Sequence, residues 1–219
     1  DAYEFIRSII KKNGNILFVG TKKQAQAAIQ DEAERCNMPF INHRWLGGTL
    51  TNNATIRISI NKLKKYEQMK EDGTLDQLSK KEGSKLIKTI TKLSHNLSGI
   101  KSMVGTPSAI FVVDTKKEQL AINEAKKLKI PIIAIVDTNT DPTEVQYPIP
   151  ANDDAIRAIK LICSIMANAV IDEGPNLVNT EETETTKETE ETISEETVPK
   201  TDESTTETKE VELTAKGDK

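Results

Sequence analysis

Two hydrophobic patterns take turns along this chain. The first is a short unbroken apolar run between turn residues: ILFV at Ile16–Val19 after Asn13, Gly14 and Asn15, AIFVVD at Ala109–Asp114, and IPIIAIVD at Ile130–Asp137. Such runs predict strands buried on both faces of a parallel sheet, with Pro131 tolerated near the start of its strand. The second is an apolar stripe at helical spacing. Ala25, Ala28, Ile29, Ala33 and Cys36 form one, with Thr21 as its expected cap and Asn37 and Pro39 closing it. Thr115 is the expected cap of another, in which Ala121, Ala125 and Leu128 face inward up to Lys129. After the Pro-rich loop DPTEVQYPIPANDD, a helix is expected from about Asp154 to Ile171. Its stripe is Ile156, Ile159, Ile162, Cys163, Met166, Ala169 and Val170, and the acids at its start suit the helix dipole. This alternation predicts a parallel sheet with right-handed crossovers.

From Thr55 to Met103 the strand signal disappears. Two helical stretches flank a break at EDGTLDQLSKKEGS. The second carries Leu86, Ile90, Leu93, Leu97 and Ile100, the alternating four-and-three spacing of a coiled-coil seam. The first carries Ile56, Ile60 and Leu63, continued less regularly by Tyr66 or Met69, and Ser79 with Glu82 reads as a capping box for the return helix. An antiparallel helical hairpin inserted into an α/β body is expected.

Charge divides the chain further. Residues 181–219 hold 14 of the 34 acids and 5 of the 30 bases, net −9, which leaves 20 acids and 25 bases, net +5, in residues 1–180. The Thr/Glu-rich tail has too little apolar surface to offset its ordering entropy and is expected to be disordered. From Arg57 to Lys101 there are 11 bases and 5 acids, net +6, so the hairpin is basic. A basic face is the footprint of a phosphate-backbone binder, although solvated lysine faces also occur without a partner. Cys36 and Cys163 fall at apolar helix positions without a CxxC pair and are expected to be buried, reduced thiols. No apolar run is long enough to span a bilayer, and no signal peptide opens the chain. Asp1 stands, without Met, in what reads as the middle of a helix (DAYEFIRSIIKK), so the chain reads as a fragment.

Catalytic signatures are missing: there is no GxSxG, HExxH, GxxxxGK[ST] or GxGxxG. His95 lies off the seam at an expected surface position, and His43 reads as a packed corner residue with no nucleophile near it in sequence. In an open α/β sheet ligands bind beyond the C-terminal strand ends. That makes Asp114 and Asp137 the candidate metal ligands, and Lys22 and Lys23 of VGTKK candidate phosphate ligands beside a helix N-terminus. Asp and Thr at these places are also ordinary helix caps.

The segment NHRWLGGTLTN, leading into the basic hairpin, is followed by GIKSM, FVVDTKKEQLAINEAKKLKIPIIAIVDTNTDP and YPIPANDDAIRAIKLICSIMANAV. Together, from about Tyr3 to Asp172, these closely resemble the bacterial small-ribosomal-subunit protein of the S-two family. The resemblance implies a flavodoxin-like α/β body with a protruding coiled-coil hairpin. It also implies binding to small-subunit rRNA and neighbouring small-subunit proteins, docking of the S-one protein near the mRNA exit, and no catalytic activity. A cytoplasmic, ribosome-bound protein without a cofactor is expected. The chain departs from the family in lacking its Gly/His-containing opening segment with a further strand, and in carrying the long Thr/Glu tail.

The resulting division is a discontinuous α/β body at 1–52 and 104–173 with its N-terminal part missing, a basic hairpin at 53–103 and a disordered acidic tail at 174–219. In HRWLGGTLTN the Gly pair permits a tight turn, Trp45 and Leu46 anchor it, and Thr49, Thr51 or Asn52 caps the first arm helix. Arg44 is left to reach a phosphate, which its forked geometry suits. Residues expected to contact RNA are Lys22, Lys23, His43, Arg44, Asn52, Arg57, Lys62, Lys64, Lys65, Lys85, Lys88 and Lys92. Two rival readings remain: a small-molecule or metal-binding enzyme using Asp114 and Asp137, with the hairpin as a dimerisation arm, and a coiled-coil adaptor for proteins.

Overall fold

A computed structural model describes residues 1–74 and 79–174. The expected disordered tail, apart from Gly174, and part of the hairpin break lie outside the described residues. Strands β1 (Ile16–Val19), β2 (Phe40–Ile41), β3 (Ala109–Val113), β4 (Ile132–Val136) and β5 (Tyr147–Pro150) pair in parallel, in the spatial order β2-β1-β3-β4-β5. This is the flavodoxin-like order of doubly wound sheets. Every residue of β1, β3 and β4 is buried, because helices cover both faces and leave no polar side to the pleat.

The pleat sends alternate residues into two separate cores. Phe18, Phe111, Ile133 and Ile135 pack with α1 (Ala2–Ile10), α2 (Gln26–Arg35) and α6 (Ile156–Ile171). Across the sheet, Leu17, Val19, Ile110, Val112, Ile132 and Ala134 pack with α5 (Gln119–Leu128) and the roots of α3 (Asn53–Glu71) and α4 (Lys80–Leu97). Phe18 and Phe111, opposite one another in register, meet edge to face with centroids 5.4 Å apart.

Several sequence expectations are corrected. The region between Pro39 and the arm contains strand β2, and the Pro-rich loop contains strand β5. β5 is an edge strand, where Pro148 and Pro150 are tolerated because only one side of the strand must donate to the ladder. Its Tyr147 stacks on Phe5 of α1 at 4.0 Å. Leu128 and Ile156, expected on inner faces, are 41% and 60% exposed, while Ile122 and the charged Glu124 are buried in α5. Thr21 and Thr115 do not cap helices: α2 and α5 begin later, at Gln26 and Gln119, and neither has a side-chain cap.

In the arm, the expected inner faces are buried or half-buried on both helices. Ile56, Ile60 and Leu63 of α3 share one core with Ile90 and Leu97 of α4, flanked by Tyr66, Met69, Leu86 and Leu93. Ser79 accepts from the Glu82 amide and donates to its carboxylate, so the capping box starts α4 as expected. Where α4 runs into the turn Ser98–Ile100, a Cβ on Gly99 would collide with the Phe40 carbonyl and ring. Only glycine lets the returning arm pass this close to β2.

Candidate nucleic-acid interface

The path from β2 into α3 is built on one buried carboxylate. Glu124 of α5 accepts at Oε1 from the Trp45 indole N–H (3.0 Å) and the Gly48 amide (2.7 Å). Its Oε2 accepts from the amides of Leu50 (3.0 Å) and Thr51 (3.0 Å) and from the Thr51 hydroxyl (3.1 Å). Burial pushes this carboxyl upward, but the Trp45 bond and the amides of Thr51, Gly48 and Leu50 outweigh it and hold Glu124 below the usual range. The corner residues of HRWLGGTLTN are therefore gathered around α5 before the chain enters α3.

The expected anchor Trp45 is thus correct, and its partner is the residue that sequence reasoning missed. Gly48, at φ 89°, needs the left-handed freedom of glycine, whereas a Cβ at Gly47 would meet nothing. None of the three expected caps acts on α3. Thr49 donates to the Leu46 carbonyl, Thr51 is held by Glu124, and Asn52 stands at the helix start with its Oδ1 accepting from the Thr55 hydroxyl.

The basic residues of the arm fall into two groups. Lys62, Lys64, Lys65, Lys85, Lys88 and Lys92 are exposed, as are Arg44 at the corner and Lys23 on the body, and Lys62 lies 5.6 Å from the Tyr66 ring centroid. Others are engaged: Arg57 donates to the Met103 carbonyl, and Lys101 pairs with Glu67 at 2.6 Å. Asn52 is exposed at the root of α3.

His43 and His95 come together although 52 positions separate them in the chain. Their rings stack at 3.6 Å and 18°, joining the corner to α4. Burial, and then the neighbouring His95, lower the His43 pKa, so the fold favours its neutral form. The sign follows: stability from this site is fully present above the ordinary value of 6.5 and is lost as pH falls below it. In an NMR titration the His43 ring protons should titrate below the free-histidine range, and His95→Ala should move their midpoint upward. An unchanged midpoint would show that the rings do not interact.

The C-terminal strand ends hold a different cluster. Lys22, expected to meet a phosphate, instead reaches Asp154 (2.6 Å), Asp153 (2.7 Å) and Asp114 (3.2 Å) with a side chain only 14% exposed. Desolvation lowers its pKa, but bonds to Asp153, Asp154 and Asp114 more than reverse this, so the ammonium stays charged. Asp114, expected as a metal ligand, therefore faces a built-in cation and also caps the Lys117 amide. Asp137 accepts from the amides of Thr138 (2.6 Å) and Asp153 (3.4 Å), which keep it below the usual carboxylate range. Thr21 donates both its amide and its hydroxyl to buried Glu118, closing the β1 end of the same crevice. Among the described residues no group of three or more His, Cys, Asp or Glu side chains is arranged to hold a metal.

The two thiols are free and buried, and desolvation pushes Cys36 up to about 11 and Cys163 up to about 12. They are packing groups rather than nucleophiles. Among the described residues no helix is long and apolar enough to cross a membrane.

The chain thus combines an ion cluster at the C-terminal strand ends, a corner anchored on Glu124 and an arm with outward lysines. The family model for ribosomal protein S2 matches residues 1–173, all but the terminal Thr/Glu-rich stretch. The chain belongs to the ribosomal protein S2 family, structural rather than catalytic proteins of the small ribosomal subunit.

Proposed function

We propose that the chain binds small-subunit rRNA, with the α/β body at 1–52 and 104–173 as a platform and the helical arm at 53–103 as a coiled-coil clamp on structured RNA. The observation that carries this reading is the separation of roles within the arm. Its seam residues Ile56, Ile60, Leu63, Ile90 and Leu97 are buried against one another and the body, while Lys62, Lys64, Lys65, Lys85, Lys88 and Lys92 remain exposed. RNA duplexes are recognised mainly through shape and backbone, so an ordered row of cations suffices without sequence readout. Arg44 and Lys23, both exposed, add cations on the body, with Asn52 and His43 where the body meets the arm. Lys22 is withdrawn from the RNA-facing set, because three carboxylates already hold its ammonium. The acidic charge of the stretch at 174–219 repels nucleic acid outside the specific site.

In this reading the protein works on the cytoplasmic ribosome without a cofactor, touches neighbouring small-subunit proteins and helps dock the S-one protein near the mRNA exit. Reversing Lys62, Lys64 and Lys65 to Glu should leave the circular dichroism spectrum unchanged and lower affinity for small subunits lacking the protein by at least about tenfold, with a shallower salt dependence. Normal incorporation of the variant would remove the arm from the interface. Subunits rebuilt without the chain should also retain less S-one protein, and equal retention would dispose of the docking role.

A further inference from the structure

The stacked histidines keep an open side. His95 packs against His43 at 3.6 Å, yet it remains exposed, so part of its ring faces outward. It borders two surface hollows, one that also has Glu67 and Glu71 in its lining, and a separate one of about 380 Å³ along α4, formed with Ile87, Lys88, Thr91, Lys92 and Asn96. In this second hollow Ile87, 52% exposed, supplies an apolar wall, and Lys88 and Lys92 supply cations without any carboxylate among the lining residues. The Thr91 hydroxyl donates to the Ile87 carbonyl at 3.0 Å, which leaves its oxygen as an acceptor, and the Asn96 amide donates one N–H to the Lys92 carbonyl at 3.2 Å, which leaves a second N–H and the amide oxygen.

We propose that this hollow takes a single unstacked RNA base, laid on His95, with the flanking phosphates on Lys88 and Lys92. The inference rests on the rRNA-binding reading and adds a base-contacting site to an arm otherwise suited to backbone contact. A planar ring held rigid by a second ring behind it is a prepared stacking surface, and histidine serves this purpose for splayed-out RNA bases. A hollow of this size holds one nucleotide and not a duplex. A peptide ligand is a poorer match, since the largely apolar lining ends in two cations with no carboxylate, a charge pattern that the phosphates flanking a base complement.

The test uses the full chain and small subunits lacking it, with binding measured across a salt series and contacts read by zero-length photocrosslinking. His95→Ala should weaken binding roughly 5- to 150-fold at constant salt slope, and His95→Phe should restore it. Lys88→Gln with Lys92→Gln should instead reduce the slope by about one to two. A nucleotide adduct should map to the peptide containing His95 in the wild type. Wild-type binding of normal slope with an equally tight His95→Ala variant and no adduct at His95 overturns the site while leaving rRNA binding intact. Equal loss in His95→Ala and His95→Phe assigns His95 to packing on His43 and also overturns it, as does a crosslink from His95 to a protein neighbour. Failure of the wild type to bind at any salt defeats the rRNA reading itself.

Discussion

Replacing Glu124 with alanine destabilises the chain by about 3–5 kcal/mol, because two buried and two part-buried N–H donors and a hydroxyl lose their shared carboxylate at once. For a chain of this size that is a fall in Tm of roughly 6 to 20 °C. Glu124→Gln keeps the shape but turns one acceptor oxygen into a donor amide facing other donors, so it recovers only part of the loss. Trp45 is the only tryptophan, and its fluorescence reports the corner directly. In Glu124→Ala its emission should shift to the red at lower urea than global unfolding, since the corner is released before the sheet. The wild-type carboxyl is held below its usual range in the fold. Its contribution is therefore fully present above the ordinary value of 4.5 and is lost as pH falls through the lower, folded value. The glutamine variant lacks this acid-side loss. A destabilisation below about 1 kcal/mol, within the range of an ordinary surface substitution, would show that the corner stands without Glu124.

Lys22→Met has the second largest effect. It removes the one ammonium that Asp114, Asp153 and Asp154 share, and Asp153 is only 1% exposed with an Oδ2 that accepts no hydrogen bond from the protein. Breaking a buried pair by removing one partner costs about 3–5 kcal/mol, because the remaining charge is uncompensated. Neutralising the buried partner as well, in Lys22→Met with Asp153→Asn, should recover part of the loss in urea unfolding. A double variant no more stable than Lys22→Met alone would mean that the cluster is not held by charge. A wild-type chain whose Tm rises strongly with Mg2+ or a nucleotide would contradict the picture of a crevice closed by Lys22.

The parts of the fold legible in the sequence are those where burial is uniform. β1, β3 and β4 lie between two helical layers, so their apolar runs carry the strand signal unaided, and the inner faces of α2 and most of α6 follow from spacing alone. β2 is two residues long, too short for any period to register, and β5 alternates Tyr147 and Ile149 with prolines that normally argue against a strand. Only the position of β5 at the sheet edge makes that composition workable. The site was half visible. The corner stood out through its tryptophan and glycines, and the arm through its seam and lysines.

Glu124 and the Lys22 cluster depend on tertiary convergence. Glu124 sits three residues after the inward Ala121, a carboxylate on an apolar face, and that mismatch was the available signal. Lys22 looked like a phosphate ligand because Asp114 and Asp153 lie 92 and 131 positions away, and only the strand order brings them beside it. The same holds for His43 and His95, each of which read alone as an isolated surface or corner residue.

The measurement that bears most directly on the account is cosedimentation of the full chain with small ribosomal subunits stripped of it, across a salt series. The account predicts saturable binding near one to one, weakening steeply and linearly in log–log form as phosphate contacts release counterions. Binding that is absent, or that holds unchanged from low to high salt, would contradict it.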